Sequence, residues 1–100
     1  MINYLNYLEY WHGSKSKIFA FENWATSVSA ISNNAKRSRS LDIESGKLFA
    51  RATVWESGEL DVEAIDREEG FDIVRKTFLV KSEPELDDKL NWWLSEIVIY

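Results

Sequence analysis

The residues of this sequence whose chemistry stands out are acids. Between residues 56 and 72 there are eight acidic side chains, Glu56, Glu59, Asp61, Glu63, Asp66, Glu68, Glu69 and Asp72, against the single base Arg67. Asp61 and Glu63 are two residues apart, a spacing that places both carboxylates on the same face of a strand. Paired carboxylates can perform acid–base catalysis. Their alternation with apolar residues puts this pair on a solvated face of the sheet, so the pattern favours binding over catalysis.

Nucleophilic and metal chemistry have little support in the sequence. The chain has no cysteine and one histidine, His12, which excludes disulfides, thiol catalysis and cysteine-ligated zinc. The acids lack the spacing of a calcium-binding loop, and no phosphate-binding or nucleophile motif is present. We therefore predict no catalytic residues, no metal ligands and no cofactor.

The charge and hydropathy of the chain bear on its partners and location. The net charge of −5 is the reverse of the basic footprint of a nucleic-acid binder, and it suits a partner that is itself basic. No apolar run approaches the roughly 20 residues that cross a bilayer, and Met1–Tyr10 lacks the features of a signal peptide. The sequence predicts a cytoplasmic protein that binds neither membranes nor nucleic acid.

The pattern of apolar residues first predicts helices. The chain of 100 residues has the size of a single domain, residues 1–100. Residues 2–12 are aromatic-rich and predict a short helix. A second helix is predicted over residues 17–36, with Lys36, Arg37 and Arg39 at its C-terminal end, because five apolar residues follow a helical stripe: Phe21, Trp24, Ala25, Val28 and Ile31.

The apolar period then changes to two, which predicts four strands. They cover Leu41–Ile43, Lys47–Trp55, Leu60–Ala64 and Phe71–Val80, separated by turns at Ser45-Gly46, Glu56-Ser57-Gly58 and Arg67-Glu68-Glu69-Gly70. A three-residue turn with Gly58 in the left-handed conformation pairs Val54 with Leu60 and Arg51 with Glu63. This register matches apolar and charged pairs on separate faces and directs seven residues to the core: Leu48, Ala50, Ala52, Val54, Leu60, Val62 and Ala64.

The last helix has a strong start signal. Ser82-Glu83-Pro84-Glu85 has the form of a capping box with proline in the first turn. An apolar stripe follows it: Leu86, Leu90, Trp93, Leu94 and Ile97; the neighbouring Trp92 is expected at the boundary of that stripe. The predicted fold is α+β, a four-stranded antiparallel meander with the N-terminal and C-terminal helices packed on one face and the other face open.

The open face is the predicted partner-binding surface. Its acids fit either a solvated sheet face or a docking surface for a basic partner, and these two interpretations have equal weight. Trp55 fits an interface anchor ringed by charges, or an aromatic residue that the segment Met1–Trp11 covers; Phe49 fits the second description better. The predicted partner-binding residues are Arg51, Trp55, Glu56, Glu59, Asp61, Glu63, Asp66 and Glu68.

Three motifs in the chain resemble one known family. They are Phe21-Glu22-Asn23-Trp24, Leu41-Asp42-Ile43-Glu44-Ser45 and the hairpin Arg51-Ala52-Thr53-Val54-Trp55-Glu56-Ser57-Gly58-Glu59-Leu60-Asp61-Val62. Together with a closing helix, they resemble the TriTu family of bacterial immunity proteins. The resemblance runs from about Phe19 to the end of the chain, and it leaves residues 1–18 as an N-terminal extension or an extra helix.

The resemblance implies a specific role. Proteins of this family protect a bacterium from an ADP-ribosyltransferase toxin that is delivered by contact-dependent secretion, often as the C-terminal domain of a polymorphic, Rhs-type toxin of type VI secretion. The family name points to elongation factor Tu as the toxin's target. The implied immunity protein is not an enzyme; it binds the toxin as a 1:1 heterodimer and blocks the NAD or substrate site. The residues alone leave open an inhibitor of a different basic toxin, such as a nuclease, and a scaffold domain with no toxin partner.

Overall fold

A computed structural model describes residues 3–100 of the chain. These residues form, in order, α1 (Tyr4–Ser14), α2 (Ser16–Glu22), β1 (Ala25–Val28), β2 (Ser38–Glu44), β3 (Leu48–Trp55), β4 (Glu59–Asp66), β5 (Asp72–Leu79) and α3 (Glu83–Val98). The strands make one antiparallel sheet in chain order. The α+β class and the meander are confirmed, but the sheet has five strands where the sequence predicted four.

The predicted helix over residues 17–36 is correct as far as Glu22 and wrong beyond it. The helix α2 ends at Glu22 because Asn23 adopts the left-handed conformation, with φ of 59°, and the N–H of Trp24 closes the helix end by donating to the carbonyl of Phe19. Residues Ala25–Val28 then pair with β2. Half-buried Thr26 and Val28 alternate with the exposed Ala25. The segment therefore follows a period of two, which the helical stripe did not show because it counted Ala25 and passed over the polar Thr26.

Both long helices cover one face of the sheet. The seven strand residues predicted to face the core are each at most 2% exposed. Trp11 of α1 and Trp93 of α3 are fully buried there, with ring centroids 6.2 Å apart. The short helix predicted over residues 2–12 is present as α1, with residues 1 and 2 outside the described range. The idea that Met1–Trp11 covers the open face is wrong, because α1 packs beside α3 on the opposite face.

A chain of polar contacts fixes α1 against α3. The indole N–H of Trp11 donates to Asn91 Oδ1 at 3.0 Å, and the amide of Asn91 donates to Asp87 at 3.0 Å. The hydroxyl of Tyr7 donates to the other oxygen of Asp87 at 2.7 Å. Burial and this hydrogen bond raise the pKa of Tyr7 above its ordinary value. These contacts tie both helices to one face, and no helix formed by residues 3–100 covers the other face of the sheet.

The predicted start of the last helix is confirmed. The hydroxyl of Ser82 accepts a hydrogen bond from the backbone N–H of Glu85 at 3.2 Å, and Pro84 lies in the first turn. All five residues of the predicted apolar stripe are buried. The capped start and the stripe together place α3 across β4 and β5.

The turn between β3 and β4 has the predicted register. Val54 pairs with Leu60 and Arg51 with Glu63, and Gly58 has a φ of 100°. The carbonyl oxygen of Val80 lies 2.4 Å from the point where a Cβ on Gly58 would sit, so the close approach requires glycine. The N–H of Val80 donates to the Gly58 carbonyl at 2.9 Å, and this contact joins the turn to the end of β5.

Candidate partner-binding surface

The open face of the sheet carries side chains in ordered rows that cross the strands. It consists of the residues of β2–β5 that point away from α1 and α3, and cross-strand pairing sets its rows. We call the first row the charge ladder: Asp42, Arg51, Glu63 and Arg75. The next is the hydroxyl row: Ser40, Thr53, Asp61 and Thr77. Beyond it is the apolar corner, where Trp55 and Leu79 flank Glu59.

The charge ladder alternates in sign. Arg51 donates from Nε and Nη2 to the two carboxylate oxygens of Asp42, at 2.7 and 3.1 Å. These hydrogen bonds raise the pKa of Arg51 above its ordinary value. Farther along the row, Arg75 lies 3.5 Å from Glu63. Exposed ion pairs contribute about 0–1 kcal/mol to stability, so the ladder matters chiefly because it presents a fixed pattern of alternating charge.

Bases from a loop neutralise two further predicted site acids. Glu56 lies 2.8 Å from Arg37 and Glu59 lies 3.2 Å from Lys36. These bases were predicted at the end of a helix; that prediction is wrong, because they lie in the loop before β2. The open face is therefore close to charge balance, although the local sequence is strongly acidic.

Asp61 is the exception to this balance. It accepts a hydrogen bond from the hydroxyl of Thr77 at 2.8 Å, and within residues 3–100 it has no basic partner within ion-pair distance. Its side chain is exposed on β4. A negative charge surrounded by hydroxyl groups thus lies near the centre of the open face.

The apolar corner adds large side chains at the edge of this charged surface. Trp55 is half-buried at the end of β3, and Leu79 is 60% exposed at the end of β5. Leu79 pairs with Glu59 across the strands. Leu79 is not among the predicted binding residues, although its alternation with Arg75 and Thr77 places the three on one face of β5. Phe49 lies on the same face, with the guanidinium of Arg51 5.8 Å from its ring.

Two of the predicted binding residues lie away from the open face. Asp66 continues the buried side of β4 and is 9% exposed. It accepts hydrogen bonds from the backbone N–H groups of Glu68 and Glu69, at 2.9 and 2.7 Å, and from the hydroxyl of Tyr100. Asp66 therefore caps the turn before β5. Glu68 lies in that turn, at the opposite end of β4 from Glu56. The other predicted residues lie on or beside the open face.

The contact between Asp66 and Tyr100 predicts a pH dependence of stability. The Tyr100 hydroxyl and the two backbone donors lower the pKa of Asp66, and the contact with Asp66 raises the pKa of Tyr100 to about 12. The ionised Asp66 therefore stabilises the fold above about pH 4, and this contribution is lost as pH falls through its lowered pKa. The protonated Tyr100 stabilises the fold up to about pH 10, and this contribution is lost as pH rises toward 12.

The variant Tyr100→Phe should flatten both ends of this profile. Denaturant unfolding at a series of pH values measures the free energy of unfolding, and the difference between wild type and variant should shrink at both extremes. Tyr10→Phe is the control, because Tyr10 is 67% exposed and lies on α1, outside the contact between Asp66 and Tyr100. Parallel profiles for wild type and Tyr100→Phe would contradict the assignment.

The one histidine has a structural position. His12 Nε2 lies 2.8 Å from the hydroxyl of Thr26, and its ring stacks on Phe19 with centroids 5.4 Å apart. Burial lowers the pKa of His12. These contacts hold β1 against the two N-terminal helices. Within residues 3–100, no group of three or more His, Asp or Glu side chains is arranged to hold a metal ion.

Comparison with known protein families gives a match over most of the chain. A family model described as "Immunity protein TriTu" matches residues 6–96, which run from the first turns of α1 to the last turn of α3. A comparison with curated proteins found no match. No helix of the described part of the chain is long and apolar enough to cross a membrane.

Proposed function

The chain belongs to the TriTu family of immunity proteins, and from this premise we propose that it neutralises its cognate toxin by covering the toxin's active site with the open face of the sheet. The proposed toxin is an ADP-ribosyltransferase that modifies elongation factor Tu. The two proteins form a 1:1 complex in the bacterial cytoplasm, where elongation factor Tu works. The immunity protein acts by binding and performs no catalysis.

The apolar corner is the observation that carries this choice of surface. An antiparallel sheet commonly leaves one face in water, so an uncovered face alone would mean little. Here Leu79 is 60% exposed, and Trp55 is half-buried on the other side of Glu59. Tryptophan is enriched among the residues that dominate protein–protein affinity.

The chemistry of the open face suits the proposed toxin. A transferase that binds an anionic dinucleotide needs basic groups in its site, and Asp61 offers a negative charge without a basic partner among residues 3–100. An apolar side chain such as Trp55 fits a pocket for the nicotinamide ring. The paired acids of the charge ladder suit mimicry of a nucleic-acid backbone less well, because each paired carboxylate is neutralised by its arginine. This observation favours the transferase over a nuclease.

An inhibition assay tests the proposed function. The toxin domain encoded beside this protein is mixed with elongation factor Tu and NAD, and transfer of ADP-ribose is followed as the immunity protein is added. We expect transfer to stop at one equivalent. Because the two ligands would share a site, excess NAD should raise the amount of immunity protein required. Full transfer at several equivalents would refute the proposal, and inhibition unaffected by NAD would refute occlusion of the NAD site.

A further inference from the structure

The strand β5 has a free edge. Within residues 3–100 it pairs with β4 alone. The N–H of Val80 donates to Gly58, and antiparallel pairs alternate between hydrogen-bonded and non-hydrogen-bonded. It follows that Phe78 and Lys76 direct their backbone groups to β4. The N–H and C=O groups of Arg75, Thr77 and Leu79 therefore point away from the sheet.

An aromatic cleft lies next to this edge. Phe78 of β5 and Trp92 of α3 form its walls, with rings nearly perpendicular and centroids 5.8 Å apart. The ammonium group of Lys89 lies 5.0 Å from the centre of the Phe78 ring. Lys76 and Asp88 complete the lining, and the cleft has a volume of about 300 Å³. Trp92 remains 38% exposed, so the cleft is open to a side chain from outside.

The cleft has a basic character that is unusual for this chain. The protein carries a net charge of −5, yet two lysines, Lys76 and Lys89, line the cleft against the single acid Asp88. Within the described range, neither lysine has an acidic partner at ion-pair distance. The cleft is therefore complementary to a segment that brings a negative charge.

We propose that an extended segment of the toxin adds to the free edge of β5 as a further strand of the sheet. This inference rests on the proposed toxin-binding function and gives it a second contact. The segment places an acidic side chain opposite Lys76 and an apolar side chain in the cleft between Phe78 and Trp92. Strand addition gains affinity from backbone hydrogen bonds and specificity from alternate side chains. The toxin residues that lie opposite Arg75, Thr77 and Leu79 point to the same side as the open face. The added strand and the part of the toxin that covers the open face therefore form one interface.

A second copy of this chain would meet like charges in two of the registers that the edge offers. If β5 paired with itself about Lys76, two ammonium groups would lie directly opposite each other, and like charges in that position are destabilising. Pairing about Arg75 would oppose two guanidinium groups in the same way. Basic residues on an edge strand generally hinder such self-association.

The variants Thr77→Pro and Thr77→Val isolate the backbone contact. The N–H of Thr77 points outward, so proline is compatible with the edge strand while it removes the donor and obstructs an added strand. Valine removes the same hydroxyl and keeps the N–H. In calorimetric titration against the toxin domain encoded beside this protein, we expect Thr77→Pro to raise the dissociation constant by about tenfold or more and Thr77→Val by less than about threefold. Equal effects of the two variants would overturn the proposal, provided that thermal unfolding shows both to be folded.

Charge reversal tests the proposed acidic side chain. Lys76→Glu should raise the dissociation constant by about tenfold or more, because it places like charges opposite each other. Lys17→Glu makes the same change on exposed α2 and should alter it by less than about twofold. Equal effects of both reversals would overturn the assignment of Lys76. Normal binding by the β5 variants together with loss of binding in Trp55→Ala would overturn strand addition and leave the proposed function standing.

Amide hydrogen exchange gives a test that needs no variant. In the free protein the outward N–H groups of Arg75, Thr77 and Leu79 should exchange much faster than those of Lys76 and Phe78. In the complex with the toxin domain the outward groups should become protected. Unchanged exchange at all three residues in a saturated complex would overturn the proposal. Protection that instead rises with the concentration of the free protein would identify a second copy as the occupant and would also overturn it.

Discussion

Replacement of Gly58 by alanine is expected to lower the free energy of unfolding by about 3 kcal/mol. Two costs combine at this residue. Its φ of 100° lies in a region that residues with a side chain avoid. In addition, the new Cβ would lie 2.4 Å from the carbonyl oxygen of Val80, so the hydrogen bond from the Val80 N–H to Gly58 would have to break or move. Domains of this size are commonly stable by about 5–15 kcal/mol, so the loss is a large part of the total.

The other turn glycines separate the two costs. Gly70 has a φ of 79°, but no heavy atom lies within 4 Å of the position that its Cβ would take, and Gly46 has neither feature. Urea unfolding should therefore show a loss of about 1 kcal/mol for Gly70→Ala and almost none for Gly46→Ala. If Gly58→Ala were no worse than Gly70→Ala, the close approach of the turn to the end of β5 would be contradicted.

Replacement of Trp55 by alanine is expected to weaken toxin binding by about 2 kcal/mol or more, which is roughly thirtyfold in the dissociation constant. The side chain is half-buried in the free protein, so its position is already restricted before binding and little conformational entropy is lost when a partner covers it. Charged neighbours, including Glu59, surround it on the open face. They would exclude water from its contact with the toxin.

A matched change tests whether the effect belongs to this surface. Phe21 is 87% exposed on α2, away from the open face, so Phe21→Ala also removes an exposed aromatic ring. We expect Phe21→Ala to leave the dissociation constant within about twofold of wild type. An unchanged dissociation constant in Trp55→Ala, measured by the same titration, would remove Trp55 from the binding site.

The elements that the sequence predicted well have strong local signals. The turn at Gly58 requires a positive φ and so fixes the register of β3 and β4. The start of α3 has its cap within four residues, Ser82–Glu85. The strand β1 was missed because its two apolar residues, Ala25 and Val28, are three positions apart and fit a helical stripe. The deciding feature was the left-handed conformation of Asn23, a residue that tolerates it without requiring it.

The site was predictable in part for similar reasons. Strand alternation placed Arg51, Asp61 and Glu63 on one face, as the structure has them. The sequence could not predict which ion pairs form on this surface. Lys36 and Glu59, for example, form an ion pair although they are 23 positions apart in the sequence. Asp66 was assigned to the site from its place in an acidic run, whereas strand alternation alone would have put it on the buried side.

The cleft at the edge of the sheet had no sequence signal. Phe78 and Trp92 belong to different elements, and their contact depends on how α3 crosses β5. Trp92 was expected at the boundary of the helix stripe, and its 38% exposure agrees with that position. That Phe78 and Trp92 face each other can be recognised only in the folded chain.

The measurement that most directly tests the central claim is calorimetric titration of this protein into the toxin domain encoded beside it, at low and high salt. We expect one binding event with a stoichiometry of one. Because most acids of the open face are paired with bases, the dissociation constant should change by less than about tenfold between the two salt concentrations. No binding at either salt concentration would contradict toxin neutralisation for this pair, and a much steeper loss of affinity with salt would show that a surface of unbalanced charge binds the toxin instead.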